Sequence, residues 1–242
     1  MSFSHTHTCL ESSILSPVSS IYHGFSLSSN GDMRNAINVK NFLTTRGISD
    51  AIFLPKQVHG STIIVNPEFS QKILEGDGVL LQKGKSSYTS TGVITADCVP
   101  VLFSDIHGTS IGAVHAGWKG LCGGIIQKMV TTMKSNGVAI EDIRIAIGPH
   151  IGACCYSVPE ARIELFKANG IDVSRSFYQE NGTTHLDLGT ILMSQLQHIG
   201  IMRDHIDTGI FCTSCQKDSF FSFRRNTTTE FGEMIATVGF TY

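Results

Sequence analysis

Cys98 and His115 are the side chains whose types and settings point first to chemistry. Each stands at the end of an apolar, strand-like run, one in Thr95-Ala96-Asp97-Cys98-Val99-Pro100-Val101-Leu102-Phe103 and the other in Val114-His115-Ala116-Gly117-Trp118-Lys119-Gly120. Rigid strands that present ligand-type residues at their ends are a means of building a precise site. A cysteine and a histidine brought together serve either as ligands of one metal or as nucleophile and base. His59 adds a third residue of suitable type from the connection Lys56-Gln57-Val58-His59-Gly60, where Gly60 permits a sharp turn between two strands. Asp77, flanked by Gly76 and Gly78, has room to approach a ligand and reads equally as a turn residue.

The segment after His115 holds Gly117, Gly120, Gly123 and Gly124 ahead of a helical pattern. Free N–H groups at a helix start, together with the charge of Lys119, are features of an anion site. The glycine spacing matches neither the Walker P-loop nor the dinucleotide fingerprint, and close packing of the turn against a sheet explains the same glycines. Three other clusters contain reactive types. His5, His7 and Cys9 lie near the chain start, where a metal would lack preorganised geometry. Cys154 and Cys155 are adjacent, and on an extended backbone neighbouring side chains point to opposite sides, so the two are not expected to face one metal and one of them is a candidate for the core. Cys212-Thr213-Ser214-Cys215 is a C-x-x-C, but no second pair at zinc-ribbon spacing accompanies it and no helix pattern follows it as in a redox enzyme. Arg224-Arg225 is able to clamp phosphate, although paired arginines are commonly surface charge.

The elements that must position these groups follow from periodicity. Strands are predicted at 51–54, 61–65, 79–81, 91–96, 99–103, 110–114, 143–147 and 234–242. Helices are predicted over Asp32–Arg46, ended by Gly47, from Ile125 to about Ser135, over Pro159–Gly170 and over Leu186–Ile199. Their succession gives a single mixed α/β domain spanning 1–242, with helices covering a layered sheet core and the first 20 residues flexible.

Composition narrows the function classes. At 16% charged residues and a formal net charge of −2, the chain has no electrostatic attraction for nucleic acid or anionic lipid. No apolar run is long enough to span a bilayer and the start lacks a leader pattern, which points to the cytoplasm and to no membrane partner. Seven cysteines, an odd and irregularly spaced set, read as reduced thiols, some of them ligands.

Five motifs in order, namely Lys56–Gly60, Thr95–Val101, His115–Gly120, Gly148-Pro149 through Tyr156, and Phe221-Ser222-Phe223-Arg224-Arg225, make the chain resemble the YfiH or laccase-domain family. That family is known as purine nucleoside phosphorylase and earlier as polyphenol oxidase. The resemblance implies a four-layer α-β-β-α sandwich, shared with certain cysteine-hydrolase-like toxin domains, and one zinc bound by His59, Cys98 and His115. It implies phosphorolysis of adenosine, inosine or S-methyl-5'-thioadenosine, with an adenosine deaminase activity. Catalytic roles then fall to Cys98, His115, Lys119 and Asp77, and substrate or phosphate binding to Gln57, Lys119, Arg224 and Arg225. A His2Cys set agrees with this, because it leaves a fourth zinc position open for chemistry. The chain departs from the family at Leu27–Gly31, a shortened loop; at Lys119, where many relatives have arginine; and at Gly232-Glu233, in place of a glycine-arginine pair. Three other readings compete: a copper-dependent phenol oxidase, a hydrolase using Cys98 as nucleophile and His115 as base, and a metal- or nucleoside-binding module without turnover.

Overall fold

The alternation of apolar side chains along the central strands decides the layering. In the strand Gly78–Gln82, Val79 and Leu81 enter one buried cluster while Leu80 enters another. In Val99–Asp105, Leu102 joins the first cluster while Val101 and Phe103 join the second. Both faces are covered, which is why these strands read as unbroken apolar runs in the sequence. The computed structural model describes residues 3–5, 9–46, 48, 51–70, 72–209, 211–226 and 231–241.

Two six-stranded sheets carry the fold. The first runs Phe3–His5, Cys9–Ser12, Ile21–Ser26, Met234–Phe240, Ser90–Thr95, Ile52–Phe53; the second runs Ile206–Thr208, Ile143–Ile147, Val99–Asp105, Ser110–Ala116, Gly78–Gln82, Ile63–Val65. Leu10, Phe25, Val93, Ala236 and Val238 of the first sheet meet Val79, Leu81, Leu102, Ile111 and Ala113 of the second between the layers. On the outer face of the second sheet, Ile126, Met129 and Met133 of the helix Ile125–Ser135 and Ile191, Leu192 and Leu196 of the helix Leu188–His198 pack on Val101, Phe103, Val114 and Ile145. On the outer face of the first, Val39, Phe42 and Leu43 of the helix Ala36–Thr44 cover Cys9 and Ile235. The result is the four-layer α-β-β-α sandwich, and its fold agrees with the expectation.

The differences from the sequence reading have local causes. The helix expected from Leu186 begins two residues later, because Leu186 pairs with Phe177 in a small three-stranded sheet and Asp187 caps the helix by accepting from the Thr190 N–H. The helix expected from Asp32 starts after Asn35, whose side chain accepts from the Ile37 N–H; Gly47, its expected terminator, lies outside the described residues. The glycine-rich segment after His115 is a short helix, Trp118–Cys122, in place of an open turn. Cys154 and Cys155 do not point to opposite sides. The backbone there turns, with Cys155 and Tyr156 N–H groups donating to the Gly152 carbonyl at 3.0 and 3.1 Å, and both sulfurs approach Cys215. Of the residues from His5 to Cys9, Thr6, His7 and Thr8 lie outside the described residues, while Cys9 is buried against the Arg46 guanidinium.

The early chain is not loose from residue 9 onward. Leu10 and Leu15 are fully buried, and the Asp207 carboxylate accepts from Ser12 Oγ at 2.8 Å and the Ser13 N–H at 2.9 Å. The Ser12 N–H donates to His23 Nε2 at 2.8 Å, which keeps that buried imidazole neutral. Burial pushes the His23 ring down to about 4, over the opposing effect of the Glu11 carboxylate. The unfolded chain takes up this proton near pH 6.5 and the folded chain does so only near 4, so His23 favours the fold less as the pH falls between those values, by up to about 3 kcal/mol. We predict that the urea midpoint declines over this window and that His23→Gln flattens the decline; an equal decline in the variant would assign it to other groups.

Candidate metal centre and its cleft

Cys98 and His115 meet because their strands are antiparallel neighbours. Pro100 lies opposite His115 and Val99 opposite Ala116, which carries Cys98, just before one strand, to the end of the other. His59 arrives from the connection 54–62. There the backbone takes a left-handed conformation at His59, φ 58°, uncommon for a residue with a side chain. The donor atoms of His59, Cys98 and His115 all lie within 4.8 Å of one another. The two imidazoles stand edge to face at 4.7 Å between centroids.

Asp77 holds this arrangement from behind. Its side chain is fully buried and accepts from four donors: His115 Nδ1 at 2.8 Å and the N–H groups of Val58, His59 and Gly60 at 3.3, 3.0 and 2.6 Å. The bond to Nδ1 leaves the other nitrogen of His115 for the cluster. Burial alone would raise the Asp77 carboxyl, but the hydrogen bonds from His115 and Gly60 outweigh it and hold it below the usual carboxylate range. Burial likewise opposes charge on His115, yet Asp77 and Cys98 lift it to about 9. Cys98, also opposed by burial, is brought down to about 7 by His115 and His59. Neighbours that favour a thiolate at neutral pH also prepare a soft metal ligand.

Gly117 leaves the space. Its φ of −74° is open to any residue, so its absence of a side chain answers to room: a Cβ there would lie 3.1 Å from Cys98 Sγ and 3.5 Å from His59 Cδ2. Gly120 and Gly123 have the same function one step away, where Cβ atoms would meet the Gly60 carbonyl and Ser61 Oγ, each at 2.9 Å. The glycines therefore seat the helix Trp118–Cys122 against the His59 loop. Within this segment the Leu121 N–H donates to the Gly117 carbonyl and the Gly123 N–H to that of Lys119. The residues thus fit a metal by donor type, by the orientation of His115 and by the space kept for them.

The cluster opens into a cleft of about 670 Å³, within the range of small-molecule sites. Trp118, Tyr156, Phe223 and Phe231 line it, as do Arg162, Arg224 and Glu233. Arg162 lies 4.5 Å above the Trp118 ring and donates to Tyr156 Oη at 3.1 Å; the Arg224 guanidinium stands 5.1 Å from the Tyr156 ring and donates to Ser157. Burial pushes the Glu233 carboxyl up, against the lowering influence of Arg34. Asp97 forms part of the wall in a left-handed conformation, φ 90°, held by Thr213 Oγ1 and the Arg224 N–H at 2.6 Å each. Such strain costs on the order of 1–3 kcal/mol and persists where surroundings impose it.

The structure thus unites Gln57, His59, Cys98, His115 and Arg224 at one cleft and sets Asp77, Lys119 and Arg225 outside its lining. Asp77 does not reach the cleft and acts only through His115 and the His59 loop. Gln57 lines the cleft, but its amide is engaged on both sides by the Ile94 backbone, at 2.8 Å each way. Lys119 is exposed outside the lining, with Nζ 5.8 Å from the Trp118 ring centroid. Arg225 donates to the Thr213, Ser214 and Phe220 carbonyls and holds their segment. Arg162, missed in the sequence, is a surface-type cation on the helix Glu160–Ala168 and carries no local signal. The loop 27–31 forms a single 3-10 turn against Ser219 and contributes nothing to the lining. None of the described helices is long and apolar enough to cross a membrane.

A family model described as multi-copper polyphenol oxidoreductase laccase matches residues 15–241. Among characterised sequences, the chain is 35% identical over 191 residues to a purine nucleoside phosphorylase of Clostridium acetobutylicum, covering 78% of this chain and 77% of that one. It is 29% identical over 186 residues to adenosine deaminase RL5 of an unknown prokaryote, covering 73% and 70%. In structure it is similar to YlmD from Geobacillus stearothermophilus, with a TM-score of 0.84, 24% identity and 99% of both chains covered.

We expect Asp77→Asn to weaken metal binding roughly 10- to 100-fold, as loss of an orienting partner does; unchanged affinity would remove its role. Gly117→Ala should also weaken metal binding while leaving the circular dichroism spectrum intact, and full affinity in that variant would show that the space is not needed.

Proposed function

The chain belongs to the laccase-domain family, and from that membership we propose that it is a zinc-dependent purine nucleoside phosphorylase. The carrying observation is one cleft that holds a three-donor His59, Cys98, His115 cluster together with aromatic walls and two arginines. The proposed substrates are adenosine, inosine or S-methyl-5'-thioadenosine with phosphate; the reducing cytoplasm suits an odd, irregularly spaced set of seven cysteines.

Phosphorolysis requires an anion held beside C1' while positive charge develops on the ribose. Arg162 and Arg224, both in contact with Tyr156, supply charge-assisted donors for phosphate. Trp118, Tyr156, Phe223 and Phe231 give the purine flat apolar surfaces and exclude water from it. Glu233 offers a carboxyl to the ribose hydroxyls. His59, Cys98 and His115 would hold the zinc, which would supply Lewis acidity in the cleft and would also serve loss of the adenosine C6 amino group. His115 is fixed for this by Asp77. The copper oxidase reading has less support: the histidine-bearing cluster found among the described residues contains two histidines and one cysteine, whereas multicopper oxidation assembles several metals in a histidine-rich site.

A Cys98 hydrolase is the second reading, favoured by the line Asp77, His115, Cys98 and by a thiol brought down to about 7. Free base should appear from the nucleosides only when phosphate is present, stop on chelation and return with zinc. Base release indifferent to phosphate would reject the phosphorylase, and turnover by metal-free protein that iodoacetamide abolishes would favour the hydrolase. Arg162→Ala and Arg224→Ala should raise the phosphate KM roughly tenfold or more, and Lys119→Ala should raise it less.

A further inference from the structure

Far from the histidines in sequence, the turn 152–156 and the segment 211–216 bring four thiols together. The sulfurs of Cys154, Cys155, Cys212 and Cys215 all lie within 4.8 Å of one another. Cys215 Sγ is 3.6 Å from that of Cys154 and 3.4 Å from that of Cys155. Packing accounts for only half of this: Cys155 and Cys212 are half-buried against the core, whereas Cys154 and Cys215 are exposed and gain little apolar burial by joining them. A tetrahedral tetrathiolate with Zn–S bonds near 2.3 Å has S···S edges of about 3.8 Å, which is close to the observed spacing. Two backbone features serve the sulfurs. The Gly152 N–H donates to Cys212 Sγ at 3.3 Å, and a Cβ on Gly152 would crowd Cys154 Sγ and Cys212 Sγ at 3.3 and 3.5 Å.

We propose that Cys154, Cys155, Cys212 and Cys215 form a second, closed metal site that takes zinc as four thiolates and clamps these two segments together. The four thiols release their protons as they bind, and no coordination position remains for substrate. The site is thus structural, and it does not depend on the activity proposed for the cleft. It reinforces a join the backbone already begins, where His150 pairs with Cys212 and the Thr213 N–H donates to the His150 carbonyl at 3.1 Å. The clamped segments reach the cleft directly: Tyr156 lines it, and Thr213 holds Asp97.

Zinc content and cobalt(II) spectra of the full chain test this. We expect purified protein to contain two zinc ions per chain, Cys154→Ser/Cys215→Ser one, and Cys98→Ala one. After exchange, cobalt in the Cys98→Ala protein should show the intense charge-transfer bands of an all-sulfur tetrahedral site. Because Cys154 and Cys215 are exposed, their serine variants should remain folded, with a lowered melting temperature. Zinc content unchanged by the double substitution would overturn the site. So would a wild-type chain in which all four thiols react with Ellman's reagent before unfolding, or one whose intact mass shows them joined in disulfides.

Discussion

A buried carboxylate sets the terms for the whole site. Asp77 has no exposed surface, and a charge in that position is tolerable only when every side of it is met by a donor. The chain meets it with His115 Nδ1 and with three successive N–H groups from Val58 to Gly60. Two potential ligands, His59 and His115, are thereby fixed by a single group, one through its backbone and the other through its ring. The backbone of Asp77 completes the attachment: its N–H donates to the Thr62 carbonyl and its carbonyl accepts the His115 N–H at 2.7 Å.

The sandwich makes such a group affordable. Asp77 stands immediately before the strand Gly78–Gln82, whose neighbours Ser110–Ala116 and Ile63–Val65 bring His115 and the end of the His59 loop alongside. Cys98 follows from the next pairing, and the strained Asp97 before it is locked by Thr213 and Arg224 from the far end of the sequence. The cleft is therefore assembled from segments whose shared anchors are short hydrogen bonds to two aspartates. Loops held in this way by rigid strands are suited to hold a metal ligand within tight limits.

The sequence shows some of this and hides the rest for physical reasons. The central strands were legible because burial on both faces leaves continuous apolar runs, as in Val99–Phe103. Cys98, His115 and His59 were legible as ligand types next to glycines, and family motifs joined them into a set. Asp77 looked like a turn because its partner lies 38 residues away, and no local pattern records a contact of that length. Lys119 looked like an anion ligand because glycines surround it, whereas those glycines seat a helix against Gly60 and Ser61. Cys154 and Cys155 would diverge in a strand, but the chain turns there, and a turn leaves no mark in the two residue types. Arg162 resembles any other exposed cation on a helix until Trp118 and Tyr156 are brought beneath it.

The central claim is that the Asp77 framework makes His59, Cys98 and His115 a metal site and leaves no free nucleophile. Anomalous diffraction at the zinc edge, on crystals of the purified chain, tests it most directly. A peak bonded to His59, to Cys98 Sγ and to the nitrogen of His115 that faces away from Asp77 is the predicted result. No peak there in crystals that still turn over substrate, with that turnover lost once Cys98 is alkylated, would contradict it.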